Sequence, residues 1–165
     1  MPGLIYELID TLNRQIVHFD ELIALSAEKK ELIIKNDTDE LSKLTTNENA
    51  ITGKLLKLDK TRASLMEDIA NVIGRPKGMT LSELSEAMRT QAEYEEISGL
   101  TEITKEKLKI LRMMNDQNKI LIDNSLEYIS FTINAIRSSL LPEKAIYSSD
   151  GEELGTRQSF FDAKQ

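Results

Sequence analysis

An all-α fold is predicted for this chain: long antiparallel helices packed in a coiled-coil-like bundle, three long and one short, ahead of a flexible C-terminal tail. Three observations predict it. From Leu41 to Val72 an apolar seam steps by three and four without a slip, the repeat of helices packed side by side. The apolar residues are mostly Leu and Ile, with no Trp and only 5% aromatics, a palette poorer in strand formers than a β-sandwich requires. Proline and glycine gather mostly near residues 2–3, 74–78, 99 and 142–155, and the stretches between can run as helix. At 165 residues the chain is sized for one domain. We expect a helical bundle over residues 1–141 and a tail over 142–165.

The first helix is expected from about Leu4 to Lys35. Ile5, Leu8, Leu12, Ile16, Phe19, Ile23 and Ile33 fall on one face, while Glu7, Asp10, Arg14 and Glu21 occupy the other sides. Asn36-Asp37-Thr38-Asp39 then stops it, and either Asp37 or Thr38 can accept from the free N–H groups of a new helix. The second helix, about Asp37 to Ile73, carries the seam Leu41, Leu44, Glu48, Ile51, Leu55, Leu58, Arg62, Leu65, Ile69 and Val72. A rod of ~55 Å cannot bury such a stripe alone, and the first helix, joined by a very short turn, is its natural antiparallel neighbour. Glu48 and Arg62 must be paired or reach out of the seam, because a lone buried charge costs several kcal/mol. An antiparallel fourth helix would set Arg62 near Asn115 and Asn118.

Gly74-Arg75-Pro76-Lys77-Gly78 is the strong break, with Gly74 suited to a left-handed cap and Pro76 blocking continuation. Thr80, with Glu83 three residues on, opens a short third helix through a capping box. Its apolar face is Leu81, Leu84 and Met88, and its end is expected near Glu96 or Ile97, with Gly99 a hinge or a dent before the fourth helix. That helix is expected from about Leu100 to Leu141, where Pro142 ends it. Its seam begins with polar positions, Thr101, Thr104, Asn115 and Asn118 among Leu108 and Leu111, and then broadens into a strip of Leu121, Ile122, Leu126, Ile129, Ile133, Ile136 and Leu140, with Tyr128 and Phe131 nearby. An apolar strip wider than its neighbours can cover is a face for another amphipathic helix.

Several function classes are disfavoured. A net charge of −7 with Lys and Arg interleaved among acids argues against a nucleic-acid partner. Without cysteine there is no thiolate metal site, disulfide or Cys nucleophile. The N-terminus does not read as a signal peptide, and no apolar run approaches the ~20 residues of a membrane span, so a cytoplasmic location without membrane insertion is expected. His18 is the lone histidine and reads as a packing residue on a long helix. Asp150-Gly151-Glu152-Glu153 lacks the alternating oxygen ligands of a calcium loop. No catalytic set emerges and no cofactor is implied. The expectation is a binding protein and not an enzyme, with no oligomeric state fixed. In the tail, Tyr147 and the pair Phe160-Phe161 have three open readings: folding back on the domain, a short linear motif, or no role.

Three elements, in order, resemble the FlgN family of flagellar export chaperones. They are the second-helix pattern Leu41, Leu44, Glu48, Leu55, Leu58 and Arg62; the opening Thr80-Leu81-Ser82-Glu83-Leu84; and Asn115, Asn118, Leu121, Ile122, Ser125, Leu126 and Ile129, followed by a tail with Tyr147, Asp150-Gly151 and Ser159-Phe160-Phe161-Asp162-Ala163-Lys164. The resemblance implies a cytoplasmic chaperone of the flagellar type III export system. Such a chaperone binds the C-terminal helical ends of the hook–filament junction (hook-associated) proteins, prevents their early association, and delivers them to the export gate. It further implies Leu121, Ile122, Leu126, Ile129, Ile133, Ile136 and Leu140 as the client face. Tyr147 is implied as the contact with the export gate, and the tail aromatics Phe160 and Phe161 join it as candidates. The rival expectation is a structural coiled-coil protein that self-associates through the same stripe.

Overall fold

A computed structural model describes residues 2–140, and Tyr147, Phe160 and Phe161 lie outside them. Four helices follow in order: α1 (Pro2–Lys35), α2 (Thr38–Val72), α3 (Leu81–Ala87) and α4 (Tyr94–Leu140). The described residues contain no strand, and the all-α expectation of three long helices and one short one holds. The chain divides into two units, Met1–Lys119 and Ile120–Gln165.

Within the first unit, α1 and α2 form an antiparallel hairpin. Ile5, Leu8 and Leu12 near the start of α1 join Leu65, Met66 and Ile69 near the end of α2 in one buried cluster. At the other end, Lys29 of α1 bonds Glu48 of α2 at 2.7 Å. The seam charge Glu48 is therefore half-buried but paired, as its position on an apolar stripe requires. Between the helices only Asn36 and Asp37 intervene. Asn36 takes a left-handed conformation (φ 54°), its N–H and that of Asp37 bond back to Ile33 and Leu32, and the Asp37 carboxylate then accepts from the Glu40 N–H at 3.2 Å. One two-residue turn thus closes α1 and caps α2.

Gly74 repeats the device at the end of α2, with φ 67° and the Arg75 N–H bonded to Ala70 at 2.8 Å. The seam drifts there: Val72 is exposed, and Ile73 packs against the core instead. Past a second left-handed glycine, Gly78, the Thr80 hydroxyl accepts from the Glu83 N–H, and the Glu83 carboxylate accepts from the Thr80 N–H at 2.7 Å. That backbone bond, and after it the Thr80 hydroxyl, hold the Glu83 carboxyl below the ordinary carboxylate range. α3 closes this end of the hairpin, placing Leu84 and Met88 in the cluster.

The third helix stops at Ala87 and not near Glu96, and the fourth begins at Tyr94 and not Leu100. Met88 and Ile97 are both fully buried in the same cluster. Nine residues along a continuous helix would put them on opposite faces, ~180° apart at 3.6 residues per turn, so the chain must turn between them. It does so through Gln91 and Tyr94, whose N–H groups bond the Met88 and Gln91 carbonyls. Gly99 is neither hinge nor dent: helix α4 runs straight through it, and an added Cβ would meet nothing within 4 Å.

The stretch of α4 inside the first unit runs parallel to α1. Ile97 joins Ile5 and Leu8 in the buried cluster, Lys107 forms an ion pair with Asp20, and the buried Asn118 amide donates to the Ser26 carbonyl at 3.0 Å. The expected neighbours of Arg62 are a second correction. Its guanidinium bonds Asp59 on its own helix, Nη2 at 2.6 Å, while Asn118 is committed to α1 and Asn115 is exposed. Arg62 instead lines one groove with Thr101, Thr104, Lys105 and Leu108, earlier along α4 than Asn115 and Asn118.

Candidate functional site

Side chains at steps of three and four share one side of a helix. Ile122, Leu126, Ile129, Ile133 and Ile136 follow that rule, and Leu121 stands at the edge of the face. Ile122, Ile129, Ile133 and Ile136 are each 38–53% exposed, while Leu121 and Leu126 are half-buried. Leu140 ends the helix, and its side chain lies outside the described set. No residue from 120 to 139 is buried. Tyr128 and Phe131 are more exposed still: Tyr128, seven residues after Leu121, flanks the same edge, and Phe131 lies on the opposite side of the helix.

The face carries no charge of its own. Asp123, Glu127 and Arg137 occupy the remaining positions of this stretch. It therefore offers a dry stripe with polar edges, the shape that accepts an amphipathic helix through anchors spaced at three and four. Fully burying an exposed isoleucine contributes about 1.5–3 kcal/mol, and these are already about half covered, so it takes several of them together to drive an association whose partner must be ordered on binding.

His18 is half-buried, with Nδ1 3.1 Å from the Glu21 carboxylate one turn on. That is a local pair on α1, and it fits the packing reading. Among the described residues no group of three His, Asp or Glu side chains is arranged to hold a metal, and no helix is long and apolar enough to cross a membrane.

One feature of the first unit escaped the sequence reading. A groove of about 440 Å³ opens among α1, α2, α3 and the first part of α4, with Gln15 in its wall. Gln15 lies three residues after Leu12 and four before Phe19, so the helical repeat alone puts a polar residue on the inward face of α1. That was the available signal.

The model of the FlgN protein family matches residues 1–155 of the chain. A curated relative, the uncharacterized protein YvyG of Bacillus subtilis (strain 168), is 26% identical over 129 residues, 78% of each chain. No solved structure matches.

Proposed function

Because the chain belongs to the FlgN family, whose members are flagellar export chaperones, we propose a specific form of that role for it. It binds the C-terminal helical segments of hook–filament junction (hook-associated) proteins in the cytoplasm, prevents their premature association, and delivers them to the export gate of the type III system. Client segments seat on Leu121, Ile122, Leu126, Ile129, Ile133, Ile136 and Leu140. The contact with the gate falls to Tyr147, with Phe160 and Phe161. The observation that supports this reading best is the apolar face of α4 after Ile120, where four isoleucines at helical spacing stand in solvent.

The chemistry suits a carrier. A client segment unstructured alone folds as a helix on the stripe, and its ordering entropy offsets much of what burial contributes. Binding is then tight enough to protect an aggregation-prone end and loose enough to release it. No bond is made or broken, and the family is one of chaperones and not enzymes.

The test is calorimetric titration of the full chain with C-terminal fragments of hook-associated proteins, alongside light scattering of each mixture. A mixed complex weakened at least tenfold by Ile133→Asp supports the reading. A stable homo-oligomer that never yields a mixed complex overturns it in favour of self-association through the same stripe.

A further inference from the structure

The groove in the first unit is built differently from the α4 face. Its walls are apolar, with Phe19 of α1, Leu81 of α3 and Leu108 of α4. Leu108 sits on the inward seam of α4, between the buried Thr101 and Leu111, yet is 47% exposed because the opening lies in front of it. At about 440 Å³ the space admits one large apolar side chain with its flanking backbone, within the range of ligand clefts.

Gln15 gives the groove a polar function. Its residue is 5% exposed, and its amide has no hydrogen-bond partner among the described residues. Among the described residues no side-chain nitrogen or oxygen fully shut off from solvent lacks a partner, so the Gln15 amide opens on the groove it lines. The protons of neighbouring hydroxyls are already committed: Thr101 and Thr104 donate to the Ile97 and Leu100 carbonyls, at 2.7 and 2.8 Å. A carboxamide offers one acceptor oxygen and two N–H donors, which match the N–H and C=O of a peptide group.

Two cations and one carboxylate line the same groove, on a chain whose net charge is −7. Arg62 bonds Asp59 through Nε and Nη2, while Nη1 reaches only the Met66 sulfur at 3.8 Å, a weak acceptor. Lys105 bonds Ser82 and the Glu102 carboxylate, each at 3.2 Å. Both cations retain donors for an incoming carboxylate.

We propose that this groove is a second docking site, which takes an acidic peptide segment of a partner protein: an apolar side chain enters between Phe19, Leu81 and Leu108, Gln15 bonds the peptide backbone, and Arg62 and Lys105 pair with a carboxylate. None of these residues belongs to the α4 face, so the site stands apart from the client reading.

The test is nuclear magnetic resonance of the isotopically labelled full chain, with three capped tripeptides as probes: Glu-Leu-Glu, Lys-Leu-Lys and Glu-Gly-Glu. Glu-Leu-Glu is expected to shift the Gln15 side-chain amide and the Leu81 and Leu108 methyls in a saturable way, and the other two probes are not. Gln15→Met, which keeps the volume and removes the amide, should weaken binding about tenfold, the equivalent of one hydrogen bond. Lys105→Met, at an exposed position, should weaken it several-fold whether or not the Gln15 variant folds. Ile133→Asp should leave it unchanged, which separates failure here from failure of the client site. Absence of shifts at Gln15, equal shifts with Lys-Leu-Lys, or undiminished binding by Lys105→Met would each overturn the proposal.

Discussion

Residues 94–119 and residues 120–140 of α4 share one helix and one repeat, but they are buried in inverse relation to their hydropathy. In the first stretch the covered positions include Thr101, Thr104 and Asn118, and four residues there are buried: Ile97, Thr101, Leu111 and Asn118. In the second the same positions are Ile122, Leu126, Ile129, Ile133 and Ile136, and none is buried. The more apolar stretch is the more exposed one. A heptad pattern therefore says which residues share a side; it does not say what covers that side. Polar residues in the covered stretch are held by specific bonds, as Asn118 is by the Ser26 carbonyl, and this fixes the register of α4 against α1.

Substitutions break the comparison in graded ways. The largest effect is expected from Ile97→Asp, which puts a carboxylate into a fully buried position of the core cluster. It should cost about 3–5 kcal/mol, read as a lost or strongly shifted urea transition by circular dichroism. Ile133→Asp makes the same chemical change in the second stretch and should move stability by less than about 0.5 kcal/mol. If both variants unfold alike, the two stretches do not differ as described. Asn118→Leu falls between these two, at about 1 kcal/mol, since it removes a buried side-chain bond while the Ser26 carbonyl keeps its place in α1. The same change at the exposed Asn115 should be silent in the same urea melts.

A further small effect is a pH dependence confined to the cap of α3. The folded pKa of Glu83 lies below its unfolded value of 4.5, so its contribution is fully present above that pH and is lost as pH falls through the lower folded value. The difference in melting temperature between the protein and Glu83→Gln should thus be constant from neutral pH down to about 5 and shrink below 4.5. A gap that widens on acidification would contradict the capping geometry.

Much of this fold is legible because its signals are local. Asp37 and Thr80 each stand three residues before the N–H they cap, and Gly74 stands where a left-handed residue is needed, so neither requires knowledge of the rest of the chain. The α2 seam announces its need of a partner, and the short Asn36-Asp37 link names that partner as α1. The turn at residues 88–93 has no glycine or proline to mark it; it exists because Met88 and Ile97 must reach one core, a tertiary demand. The partner of Asn118 is likewise invisible, lying 92 residues away. For the site, the α4 face was readable as a set of residues, since a helix fixes which of them share a side. The groove was not, because it needs four segments to meet around Gln15.

The two-residue link between α1 and α2 also bears on how the chain acquires its shape. Pairing can begin at Asn36-Asp37 and proceed outward, each step bringing together residues only slightly farther apart along the chain than the last, and every closed loop costs little more than the one before. The hairpin can close once Ile73 has left the ribosome, before α4 has emerged behind it. Pulse-labelled amide exchange should accordingly find α1 and α2 protected early, with α4 arriving later on a surface already formed.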